Sequence, residues 1–316
     1  MQRDNEGRII LDNLKIVDNY TEGRKPKIWL SDGQNLFLFK INAMNYENYA
    51  ELIASELAQQ CGLETAHYDL AIYKGKTGIV TPNFLKPNDI IISGEEILND
   101  GTKIARQNNF KITLDNSLES IVIALNLRYA FTNIDEIINS LISMWCFDLL
   151  ISESDRNMRN WSIISNKEGI KLAPIYDCST MAFLNNDISS YMNRLYSYNT
   201  LLSMLDSLKL SMHYRKGSSD ETLFTEFETL CRQNLAFVEN VMPKLLQIDV
   251  EQAIKNIEKR HSTNKLGDKE FEIPALIGIW VNKIVELRKK DMLNILNRVL
   301  KENKELSNKR VKLSHQ

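Results

Sequence analysis

The fold is decided by residues 147–179, which read FDLLISESDRNMRNWSIISNKEGIKLAPIYDCS. Three polar residues in this segment follow one another in a definite order. Asp155 is followed five residues later by Asn160, and Asp177 comes 17 residues after Asn160. In kinase-like sites an aspartate that orients the attacking hydroxyl precedes an asparagine and an aspartate that bind a metal ion. The spacing therefore predicts an ATP-dependent phosphotransferase.

The sequence between Asn160 and Asp177 predicts a β-hairpin. Residues 161–165 and 170–173 have strand patterns, and the polar turn between them ends in Gly169. Because a hairpin returns the chain to its starting point, we expect Asn160 and Asp177 to approach each other. Amide and carboxylate oxygens are the ligands that a hard cation such as Mg²⁺ prefers.

Each polar residue of this segment receives a predicted role. Phosphoryl transfer asks a protein mainly to position groups and to neutralise charge. We predict Asp155 as the catalytic residue and Asn160 and Asp177 as metal ligands, while Arg156 either stabilises transferring charge or, as we favour, tethers the loop. The alternative is simple turn chemistry, since Asp and Asn cap helices and tolerate unusual backbone angles. The tail at 173–179, APIYDCS, and the apolar helix before the loop favour the site.

The whole segment resembles the catalytic core of the HipA-fold serine/threonine kinases, in particular their compact CtkA-type members. The family pattern there is roughly F-D-x-L-I/L-x-N-x-D-R-H-x-x-N-W, a hairpin, and then A-P-I/L-Y/F-D. This chain departs from the pattern at Glu153, where Asn is common, and at Asn157, where His is usual. The three residues predicted for chemistry match, so the resemblance implies kinase activity. The change at Asn157 bears on how Asp155 is oriented.

A strand lysine and a helix glutamate precede this segment. Residues 35–41, NLFLFKI, predict a strand with Lys40 near its end, and residues 44–60 predict a helix with Glu51 beside its apolar stripe. A kinase needs a lysine that contacts the nucleotide phosphates and a glutamate that holds it. The family motif L-A-x-x-x-G-L matches residues 57–63. Alone, such a lysine is more often a solvated edge residue, but the downstream segment favours nucleotide binding by Lys40 and Glu51.

Two further segments are candidates for nucleotide contact. The sequence GRKPK, from Gly23 to Lys27, resembles the S-G-x-x-P-K phosphate loop of the family, although an ordinary surface turn explains it equally well. Residues 80–85 follow a predicted strand and resemble the hinge, where backbone groups would meet adenine. We therefore predict that Gly23, Lys27, Val80 and Phe84 contact the nucleotide.

Most of the chain after residue 85 has the apolar spacing of helices. The predicted helices cover residues 117–127, 135–150, 199–209, 219–241, 249–260 and 274–304.

Composition indicates a globular protein without a disulfide framework. The chain has 316 residues, 43% of them hydrophobic, and a formal net charge of −2, so bulk charge does not indicate direct binding of nucleic acid. Its four cysteines have no C-x-x-C spacing and are expected to be buried thiols. Neither a signal peptide nor a membrane span is evident. We expect a cytoplasmic protein, with non-classical secretion as the alternative.

The sequence thus predicts an α+β, two-lobed protein-kinase-like fold of the HipA/CtkA type. Residues 1–84 would form a β-rich N-terminal lobe with one helix, and residues 85–316 a helical C-terminal lobe with the catalytic and metal-binding loops. The expected reaction is transfer of the γ-phosphate of ATP to a serine or threonine of a protein substrate, with Mg²⁺ as cofactor and autophosphorylation as a further outcome.

Two alternatives remain open from the sequence. The first is a kinase for a lipid or a small molecule, because D-R-x-x-x-N followed by a metal-binding Asp also resembles phosphoinositide-kinase loops. The second is a nucleotide-binding member with little catalysis that acts in a toxin–antitoxin or regulatory complex. The family resemblance also implies a small helix-turn-helix antitoxin as a partner.

Overall fold

The structure is a computed structural model that describes two β-sheets and the helices around them. The described residues are 2–18, 26–41, 45–130, 132–185, 194–195, 197–217, 222–262 and 271–313. Gly23 of the predicted phosphate loop lies outside them.

A six-stranded sheet makes up most of the N-terminal lobe. Its strands are β1 (Ile9–Ile10), β2 (Lys15–Val17), β3 (Lys27–Ser31), β4 (Leu36–Ile41), β5 (Asp69–Tyr73) and β6 (Lys76–Pro82). They are arranged in the order β1-β5-β6-β4-β3-β2, and only the β1–β5 pair is parallel. All six strands lie within residues 1–84, for which a β-rich lobe was predicted.

The two faces of this sheet have different environments. Phe39 and Val80 belong to a small apolar cluster on the outer face. Successive side chains of a strand point to opposite faces, so Lys40 points away from that cluster. It meets helix α1 (Asn45–Gln60), whose Glu51 it contacts. Phe37 and Phe39 of β4 therefore pack in the outer cluster, while Lys40 faces the helix.

A second sheet, of three antiparallel strands, lies in the C-terminal lobe. It consists of β7 (Ile90–Ser93), β8 (Ser162–Asn166) and β9 (Gly169–Leu172) in that order. The hairpin predicted between Asn160 and Asp177 is confirmed, with Asn166 opposite Gly169 at its turn. The third strand, β7, was not predicted.

The described residues contain nine α-helices and one short 3₁₀-helix at Met181–Phe183. After α1 they are α2 (Gly94–Gln107), α3 (Leu118–Arg128), α4 (Asp135–Ile151), α5 (Tyr198–Asp206), α6 (Leu223–Gln233), α7 (Leu235–Leu245), α8 (Val250–His261) and α9 (Ala275–Leu313).

Two helix predictions need correction. The single helix predicted over 219–241 is two helices within the described residues, because the backbone at Asn234 (φ −128°, ψ 48°) leaves the helical region. Helix α2 was not predicted at all. Its start carries a complete capping box, in which the side chains of Ser93 and Glu96 each accept a hydrogen bond from the other's backbone N–H.

One hydrophobic core runs through both lobes. Residues of α1 in the N-terminal lobe and of α4 in the C-terminal lobe belong to the same buried cluster, with Leu57 and Trp145 both fully buried. The connection between the lobes runs from the end of β6 at Pro82 to the start of β7 at Ile90. Helix α8 reaches back to the first sheet, where His261 Nε2 accepts the Leu70 N–H at 3.0 Å.

Two compositional expectations can also be compared with the structure. Cys61, Cys146, Cys178 and Cys231 are all buried and unbridged, as predicted. No described helix combines the length and the apolar character that a membrane span requires.

Close packing at Gly94 gives a first testable consequence. A Cβ atom at this position would lie 2.2 Å from Trp161 Cε2, and Trp161 is buried. We expect Gly94→Ala to lower the free energy of unfolding by about 1 to 3 kcal/mol, because α2 must move off the indole. Urea denaturation measures this change.

The matched control is Gly278→Ala, within α9. A Cβ atom there meets only the flexible end of Ile254, at 3.0 Å. Alanine also favours the helix by about 1 kcal/mol, so we expect a change of less than about 1 kcal/mol. Equal losses in the two variants would contradict the packing argument.

Candidate active site

Lys40 lies between two carboxylates at the junction of the lobes. Its Nζ atom is 2.7 Å from Glu51 Oε1 and 3.1 Å from Asp177 Oδ1. The Glu51 side chain is 2% exposed, whereas that of Asp177 is 35% exposed. The structure thus brings together three residues that were predicted separately, from a strand, a helix and the segment after the hairpin.

The charges at this junction depend on each other. Burial opposes the charge of Lys40, but Asp177 and Glu51 outweigh it and hold the pKa of the ammonium group well above its usual range. Burial raises the pKa of Glu51, and Lys40 opposes that rise. Lys40 therefore stays protonated. Of its two carboxylate partners, Asp177 is the more exposed to solvent.

Backbone contacts fix the segment that carries Asp177. Glu51 Oε2 accepts the Cys178 N–H at 2.9 Å, while its other oxygen binds Lys40. The hydroxyl of the buried Tyr68 accepts the Asp177 N–H at 3.3 Å and also contacts Lys40 Nζ at 3.5 Å. Asp177 has a positive φ of 57°, which aspartate tolerates better than most residues. Helix α1 and the Asp177 segment are thereby held in one arrangement.

The loop from Asp155 to Asn160 is closed by its own hydrogen bonds. The Asn160 side-chain amide donates to the Asp155 backbone carbonyl at 2.6 Å. The Asn157 side-chain amide donates to Asp155 Oδ1 at 2.8 Å. Asp155 is exposed and Asn160 is buried, so the loop presents the aspartate to solvent while the asparagine lies at its base.

Arg156 tethers this loop from inside the protein, as the sequence favoured. Its side chain is fully buried, and all five of its N–H donors are used. Nε and Nη2 bind the two oxygens of Asp148 in α4 at 2.9 and 3.0 Å. Nη2 also contacts Cys178 Sγ at 3.1 Å. Burial lowers the pKa of Arg156, but Asp148 outweighs this effect and keeps the guanidinium charged.

The same guanidinium brings the two predicted metal ligands close to each other. Arg156 Nη1 donates to the carbonyl oxygen of Asn160 at 2.8 Å and to that of Tyr176 at 2.6 Å. One nitrogen atom therefore binds the backbone at Asn160 and the backbone just before Asp177. As predicted, the backbone at Asn160 and the backbone next to Asp177 approach each other at the open end of the hairpin.

A second buried acid connects the same two segments. Glu153 accepts the Asp155 N–H at 2.7 Å and the Thr180 N–H at 3.1 Å, and it also accepts the Thr180 hydroxyl. Burial raises the pKa of Glu153 to about 8. Glutamate in place of the usual asparagine thus fixes the loop of Asp155 to the segment after Asp177.

Two other residues predicted to contact the nucleotide, Lys27 and Phe84, lie within the described residues. Lys27 is paired with Lys40 across β3 and β4, so the two lysines lie side by side on one face. Phe84, in the connection between the lobes, stacks on Tyr176 with ring centroids 6.2 Å apart. Lys27 and Phe84 are therefore both close to the junction.

Val80 lies within a strand and not in the connection between the lobes. Val80 lies inside β6, opposite Phe39 of β4 and Asp69 of β5. Its side chain belongs to the outer apolar cluster, on the face away from Lys40. Strand pairing extends β6 to Pro82, so the connection between the lobes begins later than predicted.

Several residues of the site were missed from the sequence. Tyr68 contacts Asp177 across 109 positions of sequence, and nothing local signals that contact. Asp148 is the single charge in the apolar part of α4 that follows its first turn, which is a detectable signal because a buried charge needs a partner. Nothing in the sequence marked Thr180 as part of the site except that it lies three residues after Asp177.

Comparison with known proteins identifies the family. A model of the HipA-like C-terminal domain matches residues 20–261. This is more than half of the chain, so the chain belongs to the HipA-like family, and the predicted resemblance is confirmed. Comparison with curated protein sequences gave no match.

Two solved structures show the same kinase-like fold. The Helicobacter pylori proinflammatory kinase CtkA matches with a TM-score of 0.73 and 15% identity, over 93% of this chain and 98% of that one. HipA of Shewanella oneidensis MR-1, in the toxin–antitoxin complex of HipA, HipB and operator DNA, matches with a TM-score of 0.50 and 13% identity. That match covers 89% of this chain and 66% of HipA. The predicted α+β fold of the HipA/CtkA type is therefore confirmed.

The two arginines of the loop give a matched test of the tether. We expect Arg156→Ala to lower the free energy of unfolding by about 3 to 5 kcal/mol, because it leaves Asp148 buried without a partner. Arg159 forms an exposed ion pair with Glu95 at 2.9 Å, with 57% of its side chain exposed. Arg159→Ala should cost less than about 1 kcal/mol. Urea denaturation that gives similar losses for both variants would refute the tether.

Proposed function

We propose that this chain is an ATP-dependent serine/threonine kinase of the HipA type. It transfers the γ-phosphate of ATP to a protein hydroxyl and also phosphorylates itself. The observation that carries the proposal is the contact of Lys40 Nζ with both Glu51 and Asp177. A buried carboxylate holds the lysine, and a more exposed carboxylate faces the opening, which is the arrangement required for a nucleotide with its metal ion.

The residues at the junction fit a nucleotide carrying Mg²⁺. Asn160 and Asp177 supply amide and carboxylate oxygens, the donor types that this ion prefers, and phosphate oxygens and water complete its coordination. No group of three or more His, Cys, Asp or Glu side chains suitable for a metal occurs in the described part of the chain.

The lysine pair further supports an anionic ligand. Lys27 and Lys40 lie directly opposite each other in β3 and β4. Two cationic side chains opposite each other on one face add positive charge beside the position that we propose for the phosphates. We therefore assign Lys40 to the phosphates, with Glu51 holding it and Lys27 adding positive charge. Phe84 lies in the connection, where the base would bind.

In this proposal the exposed loop performs the transfer. Asp155 orients the substrate hydroxyl and takes its proton as the oxygen attacks the γ-phosphorus. The bond from that phosphorus to the leaving oxygen of ADP breaks at the same time. Lys40 would hold the phosphates in line with the hydroxyl, and Asn160 and Asp177 would hold Mg²⁺, which would neutralise the phosphate charge.

Replacement of the two aspartates tests the function. We expect Asp155→Ala and Asp177→Ala each to reduce phosphate transfer from labelled ATP to protein by at least about 100-fold, since each removes an essential positioning group. Asp135→Ala, at an exposed position in the first turn of α4, is the control and should retain wild-type activity. Undiminished transfer in both active-site variants would disprove the assignment.

The same assay separates the alternatives. A panel that contains lipids and small molecules would show label in a metabolite and none in protein if the chain acts on such substrates. Tight ATP binding with neither turnover nor autophosphorylation would identify a nucleotide-binding partner without catalysis.

We also propose a small helix-turn-helix antitoxin as the partner of this chain, because the Shewanella HipA structure contains HipB and operator DNA. Co-expression with a small neighbouring reading frame, followed by size-exclusion chromatography, tests this proposal. Absence of any such reading frame, with the chain eluting alone, would favour a stand-alone kinase.

A further inference from the structure

The side chain of Asn157 makes hydrogen bonds of opposite polarity, and its Nδ2 also donates to the Asp155 backbone carbonyl at 3.4 Å. Its Nδ2 donates to Asp155 Oδ1 at 2.8 Å, and its Oδ1 accepts the backbone N–H of Arg159 at 2.9 Å. It therefore connects the carboxylate of Asp155 to the backbone two residues beyond itself. This is the position at which the chain departs from the histidine of the family pattern.

The orientation of this amide is determined by its two partners. A backbone N–H is only a donor and an ionised carboxylate is only an acceptor. Rotating the amide by half a turn would place oxygen against oxygen at Asp155 and N–H against N–H at Arg159. Only the observed orientation satisfies both contacts.

The loop gives the carboxylate few other restraints. Asp155 is exposed, and the hydrogen bonds of Glu153 and Asn160 reach its backbone N–H and carbonyl rather than its carboxylate. The charged groups around the loop, which are Arg156, Glu153 and the Arg159–Glu95 pair, have the partners described above. The direction of the Asp155 side chain thus depends on Asn157.

We propose that Asn157 is a positioning residue that holds one carboxylate oxygen of Asp155, so that the other is directed at the substrate hydroxyl. This inference rests on the proposed kinase function. An amide performs this task with a neutral N–H donor, where the family pattern has an imidazole. The departure from the family pattern therefore preserves a donor at this position.

A purely structural role of Asn157 predicts different results for the same variants. In that case Asn157 would matter only because its oxygen closes a turn onto the Arg159 N–H. Asn157→Asp keeps this acceptor, since aspartate closes such turns well, but it places a second carboxylate oxygen against Asp155. Asn157→Ala loses both contacts, and Asn157→His restores an N–H donor.

The experiment compares kcat and the KM for ATP in these three variants. We expect Asn157→Asp to lower kcat by about 10- to 100-fold, at least as much as Asn157→Ala, with the KM for ATP within about twofold of wild type. Asn157→His should recover most of kcat. Wild-type kcat in Asn157→Asp, with Asn157→Ala impaired, would overturn the positioning role.

A second measurement does not depend on activity. The side-chain NH₂ resonances of Asn157 can be assigned by NMR from their loss in Asn157→Asp. We expect them to shift in Asp155→Ala, which removes the carboxylate acceptor at 2.8 Å and leaves only the weaker contact with the backbone carbonyl at 3.4 Å, and to stay in place in the Arg159→Ala control, which keeps the backbone N–H. Unshifted resonances in Asp155→Ala would overturn the inference even in an active enzyme. Shifted resonances with no wild-type turnover would instead overturn the proposed function.

Discussion

The buried guanidinium of Arg156 joins helix α4, the end of the loop at Asn160 and the segment just before Asp177. It binds Asp148 in α4, the carbonyl at Asn160 and the carbonyl at Tyr176, and all five of its N–H groups are used. A charge inside an apolar core is costly unless it is paired and fully hydrogen-bonded. Arg156 meets that condition only when both segments are in place. Arg156 therefore fixes the closed loop and the position of Asp177 together with Glu153, Glu51 and Tyr68.

A second arrangement depends on the first. Once the hairpin and Arg156 fix the Asp177 segment, Glu51 can accept the Cys178 N–H with one oxygen and bind Lys40 with the other. Helix α1, strand β4 and the segment after the hairpin then meet at a single lysine. The lobes also share one core, so this junction does not rest on polar contacts alone.

The sequence predicted the parts of the site that local pattern determines. The hairpin and the elements that carry Lys40 and Glu51 followed from strand alternation, helical spacing and turn residues. The pairing of these two residues was expected from the kinase resemblance, and the structure brings them together. The limits of β6 could not be predicted, because pairing with β4 and β5 decides where the strand ends and so excludes Val80 from the connection. Helix α2 was missed although the Ser93–Glu96 capping box marks its start. Tyr68 was missed because its contact with Asp177 exists only in three dimensions.

The central claim is that Lys40, Asn160 and Asp177 form one site for a nucleotide with its metal ion. Calorimetric titration of ATP with and without Mg²⁺, in the wild-type chain and in Asp177→Asn, tests it most directly. The account predicts that Mg²⁺ strengthens ATP binding by at least about tenfold in the wild type, because the metal links phosphate to protein, and that this gain is lost in the variant. Binding that does not depend on Mg²⁺, or that gains equally from it in both proteins, would contradict the account.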